Sequence, residues 1–156
     1  MKILKAIGIL VAAIVLLVAA VAIGARFSDG PIAVLPGGPL TSGEWVEAGR
    51  VDWSFAADIE EIEFESGGRS RTTWILVHES EAYIPCSLSF PPGKSWHHEI
   101  LERPEGVLRV EGKRYKRKFV RVEDEGLFAT LADLAQTKYT PPPGGGEIWF
   151  FHVAPR

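Results

Sequence analysis

The chain has 156 residues, 46% of them hydrophobic, with 17 Lys and Arg against 20 Asp and Glu and a single cysteine. The slightly acidic balance excludes a generally basic nucleic-acid binder, and one cysteine excludes both an internal disulfide and a multi-cysteine metal site. About 130 residues follow the apolar N-terminus, which is enough for one domain with its own core.

The N-terminal segment carries the strongest signal in the chain. The run Ala6–Ala25 contains no charged residue and ends at Arg26. At about 1.5 Å per residue it spans roughly 30 Å, the thickness of the hydrocarbon core of a bilayer. The pattern predicts a membrane anchor over residues 1–26, with residues 6–25 in contact with lipid.

The flanking charges predict the orientation of this anchor. Lys2 and Lys5 precede the run and Arg26 follows it, which favours a cytoplasmic N-terminus and an extracytoplasmic globular domain. The alternative is a cleaved signal peptide, because Ala20–Ala22 has the small-x-small form of a cleavage site. In that case the mature protein would begin near Ile23.

Residues 27–48 are rich in glycine and proline and show no periodic pattern. Asp29-Gly30-Pro31 and Pro36-Gly37-Gly38-Pro39 are typical of turns and irregular chain. The composition predicts a linker that lifts the globular domain, residues 49–156, from the membrane surface.

The globular part reads mainly as short strands separated by turns. An amphipathic helix is predicted over Glu125–Lys138, and a shorter one over Ser95–Arg103, where Pro104 ends it. Many short strands need closed edges, so the pattern favours a mainly antiparallel α+β domain, a barrel or half-barrel with one or two packed helices. The predicted strands are Arg50–Phe55, a segment containing Ile59, Ile62 and Phe64, Thr72–Val77, Ala82–Ile84, Val107–Val110, Tyr115–Val122 and Glu147–Val153.

Two clusters are candidates for ligand binding. The first, Arg69–Thr73, follows a Gly-Gly turn with two guanidinium groups and three hydroxyls, which suit a phosphate, although a solvated hairpin edge has the same composition. The second contains Lys94, Trp96 and His97 at a helix start, where an anion or a flat ring could bind, or where Trp96 could cap the core. Adjacent His97 and His98 diverge by about 100° on a helix, so no metal site is predicted.

Three other features have more than one interpretation. The basic run Lys113–Arg121 is typical of a solvated edge strand, but could also contact anionic lipid or complete a phosphate pocket. The aromatic run Trp149–Phe151 is typical of core. Cys86 is either a small core residue or a reactive thiol.

The order of these clusters resembles the deazaflavin- or FMN-dependent nitroreductase/quinone reductase family over about residues 67–153. The matching residues form three groups: Arg69, Arg71, Thr72 and Thr73, then Lys94, Trp96 and His97, then Pro104, Val110 and Gly112. The resemblance implies the FMN-binding split β-barrel fold, in which the first two groups would line the flavin phosphate and ring site.

Two functions are hypotheses at this point. One is a membrane-anchored oxidoreductase of the flavin or deazaflavin type that reduces a quinone or nitro-type acceptor, with the redox chemistry supplied by the cofactor. The other is a cofactor-free binding or interaction module of the cell envelope that keeps the split-barrel fold. The expected partners are the bilayer and a small-molecule or quinone ligand, with no nucleic acid. No catalytic residue is assigned, and the oligomeric state stays open, a dimer included.

Overall fold

The computed structural model describes residues 2–47, 49–139 and 146–156. Helix α1, Lys2–Ala25, is long and apolar enough to cross a membrane, and its side chains are exposed along almost its whole length. A signal sequence near an N-terminus has the same length and composition, so these properties fit both alternatives.

The rest of the described chain is mainly one antiparallel sheet curled into a half-barrel. Across the sheet the strands run in the order β3–β2–β6–β7–β8–β5–β4, and short β1 pairs in parallel with the start of β7. The strands are β1 Glu44–Trp45, β2 Glu61–Ser66, β3 Arg69–Trp74, β4 Leu76–His78, β5 Glu81–Ser87, β6 Glu105–Val110, β7 Lys113–Arg121 and β8 Ile148–Pro155.

The outermost strands of this sheet, β3 and β4, are neighbours in sequence and are separated by Ile75 alone. The continuous strand predicted over Thr72–Val77 is therefore wrong, because the chain leaves one edge and enters the other at this residue. The segment 69–78 thus links the two edges of the half-barrel. Edge strands joined in this way leave less open edge for another chain to pair with.

Helix α3, Glu125–Lys138, supplies the polar groups that this break requires. The Tyr139 hydroxyl accepts from the Ile75 amide at 3.1 Å and lies 2.7 Å from the Ile75 carbonyl and 2.9 Å from that of Glu60. The Lys138 ammonium donates to the carbonyls of Ile59 and Ile75 at 2.6 and 2.9 Å. A buried backbone amide and carbonyl that the ladder leaves unpaired are satisfied by side chains.

Apolar side chains fill both faces of the sheet. The inner face packs Phe64, Leu108 and Phe119 against helix α2, Trp96–Glu102, which buries Ile100. On the other face α3 covers a second cluster of apolar residues. Its buried members are Leu76, Tyr83, Leu131, Ala135, Tyr139 and Phe150. Of the aromatic run predicted as core, Phe150 and Phe151 are buried and Trp149 is partly buried.

Two local predictions in the sheet region are wrong. Residues 53–56 form a 3-10 helix rather than a strand, because the Asp52 carboxylate accepts from the Ser54 amide at 2.9 Å and caps it. The basic strand β7 is central, between β6 and β8, and not an edge. Its alternation buries Tyr115, Arg117 and Phe119 and exposes the lysines between them.

The segment predicted as a linker, residues 27–48, is attached to the sheet at several points of its described part, residues 27–47. Gly37 and Ser70 exchange backbone hydrogen bonds beside β3, and Leu40 is buried. Arg109 donates to both oxygens of Asp29 at 3.0 Å and also pairs with Glu63. These contacts attach the segment to β3 and β6, so it is part of the domain surface.

We expect Tyr139→Phe to lower the free energy of unfolding by about 1–3 kcal/mol, because the Ile75 amide loses its partner in a buried place. Denaturant unfolding of the full chain in detergent micelles measures this. Tyr83→Phe is the matched control, since Tyr83 is buried on the same face of the sheet, and the hydroxyl that bonds to Ile75 is that of Tyr139 and not that of Tyr83. Equal losses in the two variants would contradict the role given to Tyr139.

The Asp29 carboxylate should make the attachment of residues 27–47 dependent on pH. Hydrogen bonds from the Ser42 hydroxyl, the Thr41 amide and Arg109 hold the pKa of Asp29 well below its usual range. A depressed native pKa stabilises the fold above the unfolded value of about 3.9, and that contribution fades as the pH falls towards the native value. The stability difference between wild type and Asp29→Asn should therefore be larger at pH 6 than at pH 3. A stability difference between the two proteins that stays constant with pH would contradict this role of the Asp29 carboxylate.

Candidate functional site

A cavity of about 480 Å³ lies between β3, β5, the start of α2 and the loop of residues 30–37. This volume is in the range of small-molecule sites, and most of the lining is apolar. We call it the β3–β5 pocket. Its lining residues are Ala33, Val34, Pro36, Glu61, Arg71, Thr72, Thr73, Trp74, Pro85, Cys86, Ser87, Phe90, Pro91, Lys94 and Trp96.

Most of the site residues predicted from sequence meet at this pocket. Arg71, Thr72, Thr73, Lys94 and Trp96 line it, although the two clusters are more than twenty positions apart in the chain. The β2–β3 hairpin delivers the first cluster, and the loop after β5 delivers the second. Arg69 and His97, also predicted as site residues, do not line it.

The Arg71 guanidinium is the most deeply placed cation of the pocket. It donates to the Ser66 hydroxyl at 2.7 Å and to the Arg69 carbonyl at 3.3 Å, and it lies 5.1 and 5.4 Å from the rings of Phe64 and Trp96. Burial lowers the pKa of Arg71 to about 10, so the group stays charged at neutral pH.

Lys94 is the second cation, and its ammonium donates to the Phe90 carbonyl across the turn before α2. Burial lowers the pKa of Lys94. Within the described ranges, neither Arg71 nor Lys94 is within ion-pair distance of a carboxylate. The Glu61 carboxylate also lines the cavity, and Glu99 and Glu65 act on Arg71 electrostatically from beyond ion-pair distance. Two partly desolvated cations against one lining carboxylate leave the mostly apolar cavity with an excess of positive charge, which favours an anionic ligand.

Trp96 contributes to the wall of the pocket but does not present a free ring face. Its ring meets Phe64 at 5.2 Å, Phe151 at 5.6 Å and the Arg71 guanidinium, and the residue is only 8% exposed. Protein groups thus occupy the positions that a stacked flavin ring would need. The residues fit the phosphate of a flavin cofactor better than they fit its ring.

His97 lies behind this wall, in a cluster of aromatic rings. Its ring is 4.1 Å from that of His98 and 5.6 Å from that of Trp149, so the two adjacent histidines face each other instead of diverging. The His97 Nδ1 atom is buried without a hydrogen-bond partner among the described residues, and burial lowers the pKa of His97. No cluster of metal-ligating side chains occurs in the described part of the chain.

Arg69 acts on the pocket indirectly, through the loop that forms its outer wall. Its guanidinium donates to the carbonyls of Gly37 and Pro36 at 3.2 and 3.4 Å. The Thr72 hydroxyl donates to the Ala33 carbonyl of the same loop at 3.3 Å. Sequence reasoning missed the lining residues of this loop because a Gly- and Pro-rich composition carries no signal of where the chain packs.

Comparison with protein-family models gives no match, and comparison with curated proteins gives no similar sequence.

Cys86 lines the pocket as a buried and neutral thiol. Its burial raises the pKa of the Cys86 thiol to about 11, and Sγ contacts the Ser87 carbonyl at 3.9 Å. This environment suits a small core residue and not a nucleophile, which needs a lowered pKa.

We expect Cys86 of the folded chain to react with iodoacetamide at least about 100-fold more slowly than in the chain unfolded by guanidinium, because the thiolate is the reactive form and access is poor. Mass spectrometry of timed samples at pH 8 measures the rate. Alkylation at the unfolded rate would show that the thiol is open to solvent and ionised.

Proposed function

We propose that the chain is a membrane-tethered binding protein whose β3–β5 pocket takes an amphipathic anion. The observation that carries the proposal is that one mostly apolar cavity contains two cations, Arg71 and Lys94, neither of which forms an ion pair with a described residue. An anionic head between the two cations would regain part of the solvation they lose on burial. An apolar body would contact Trp74, Pro85 and Phe90.

Helix α1 supports the tether. We propose that it is retained as a single membrane span and that the domain lies on the extracytoplasmic side, as Lys2 and Lys5 before the helix and Arg26 after it favour. Ala25, the last residue of the helix, is buried, and its carbonyl accepts from the Ser28 hydroxyl at 2.7 Å. The helix thus continues directly into the chain that packs on the sheet.

A flavin-type oxidoreductase is the second proposal, because five residues expected from the resemblance line one pocket. The deazaflavin or FMN would supply hydride chemistry when bound. Arg71, Thr73 and Lys94 would hold its phosphate. The enclosed ring of Trp96 favours the binding module over this enzyme, since no stacking face is free on that side.

The full chain in phosphatidylcholine nanodiscs, titrated calorimetrically with hexyl phosphate, tests the first proposal. We expect binding, and a loss of about 10- to 100-fold in affinity for Lys94→Gln, because a hydrogen bond to a charged group is removed. Lys118→Gln is the matched control, since Lys118 is exposed and does not line the pocket.

Hexanol and inorganic phosphate separate the two halves of the ligand, and each alone should bind more weakly than hexyl phosphate. Equal affinity for hexanol and hexyl phosphate, or equal affinity in Lys94→Gln and wild type, would overturn the anion-binding proposal. In a parallel titration, quenching of FMN or deazaflavin fluorescence by wild type but not by Lys94→Gln would favour the oxidoreductase instead.

A further inference from the structure

The entrance of the β3–β5 pocket is framed by apolar side chains that face outward. Val34 is 88% exposed and Phe90 is 62% exposed, and both line the cavity. Phe27 and Ile32, on the same stretch of chain as Val34, are exposed as well. A cluster of exposed large apolar residues at one place marks a surface that contacts a partner or a membrane.

The loop that carries Val34 is tied to the end of α1. Ser28 donates its amide to the Ala25 carbonyl at 3.2 Å, and the Gly38 amide donates to the Ser28 carbonyl at 3.1 Å. Ile32 and Leu35 exchange backbone hydrogen bonds of 3.0 and 2.9 Å, so residues 33 and 34 form the tip of a tight turn. Both ends of the loop therefore lie next to the last turn of the apolar helix.

This position brings the loop to the membrane surface when α1 spans the bilayer. The apolar run of α1 ends at Ala25, and the headgroup layer extends about 5–7 Å beyond the hydrocarbon core on each side. A loop anchored at residues 28 and 38 starts within that layer. Exposed valine and phenylalanine side chains are stable there because they reach the boundary of the acyl chains.

We infer that the occupant of the pocket is an anionic phospholipid of the bilayer that holds α1. The inference rests on the proposed function and names its ligand: a phosphate headgroup between Arg71 and Lys94, with an acyl chain leaving past Val34 and Phe90. The chemistry required is a phosphate on an apolar chain. A lipid is favoured over a soluble phosphate ester because the entrance itself is apolar and continuous with the membrane anchor.

Labelling of single cysteines tests the position of the entrance. Cysteine is introduced as Val34→Cys or Phe90→Cys in a Cys86→Ala background and labelled with an environment-sensitive dye, and the full chain is placed in nanodiscs containing doxyl-labelled lipid. We expect strong quenching at both positions. Phe55→Cys is the matched control, because Phe55 is an exposed aromatic residue in the 3-10 helix.

The control site lies far from the pocket along the sheet. The Trp53 amide donates to the Ser80 carbonyl at 2.9 Å, which fixes the 3-10 helix at the start of β5. The lining residues Pro85, Cys86 and Ser87 lie towards the other end of that strand, and Pro85, the first of them, is about 13 Å from its start at the usual rise per residue. Quenching at position 55 should therefore be weak.

Native mass spectrometry tests the headgroup. The chain is released from nanodiscs containing equal amounts of phosphatidylcholine and phosphatidylglycerol, and we expect at least about a tenfold preference for one retained phosphatidylglycerol. Lys94→Gln should lose this preference, while Lys94→Arg and Lys118→Gln should keep it. Lys94→Arg retains the charge and so separates a charge effect from a general effect of substitution.

The outcomes distinguish this inference from the proposed function. Binding of hexyl phosphate without quenching at positions 34 and 90 would overturn the inference and leave the anion pocket standing. Quenching with equal retention of both lipids, or a preference unchanged in Lys94→Gln, would overturn the assignment of the lipid to this pocket. If wild type did not bind hexyl phosphate, the proposed function itself would be overturned.

Discussion

The interruption between strands β3 and β4 at Ile75 is the constraint on which the rest of the domain depends. One residue separates the two outermost strands of the sheet, and its amide and carbonyl cannot both join a regular ladder. The Tyr139 hydroxyl and the Lys138 ammonium pair with these groups from the end of α3. Because a buried polar group without a partner is costly, this pairing decides where α3 ends on the sheet.

The same break creates the pocket. When the chain turns at Ile75, β3 is brought towards β5, and the space between them is lined by Arg71 on one side and Cys86 on the other. The loop of residues 30–37 then closes the outer side, held by Arg69. The core, the break and the attached loop thus jointly define a cavity that no single element contains.

The arginines of the domain show how surroundings decide what a charge can do. Arg109 forms ion pairs with two carboxylates, Glu63 and Asp29, and this pairing raises the pKa of Arg109. Arg71 lies on β3, which β2 separates from the strand of Arg109, and it donates to a hydroxyl and a carbonyl and packs against two aromatic rings. A paired arginine holds the fold together, whereas one with no described carboxylate within ion-pair distance keeps N–H donors that suit an anion.

Much of the local structure could be predicted, because it depends on local signals. The amphipathic spacing and terminal charges gave α3 its ends, and the Gly67-Gly68 turn separates β2 from β3. The 3-10 helix at residues 53–56, predicted as part of a strand, has a local cause, the Asp52 cap. The other two predictions that were wrong depend on distant partners. The division of the strand at Ile75 requires Tyr139, and the central place of β7 requires β8, neither of which is visible in a short window.

The candidate site likewise divides into residues that the sequence could identify and residues that it could not. Arg71 and Lys94 were found because their residue types suit an anion, but the pocket wall of residues 33–36 was missed since its contacts are long-range. Trp96 and His97 were assigned to a ring site by the family resemblance, with Trp96 as a cap on the core as the alternative, and the structure buries both.

Under the proposed function, tethering would lower the affinity that the pocket needs. A ligand in the same membrane as α1 would be confined to a layer a few nanometres thick, so its effective concentration at the pocket would be on the order of millimolar or higher. A weak site is then filled. The partly buried charges of Arg71 and Lys94 would suit such a weak site, because their desolvation subtracts from the gain on pairing with an anion.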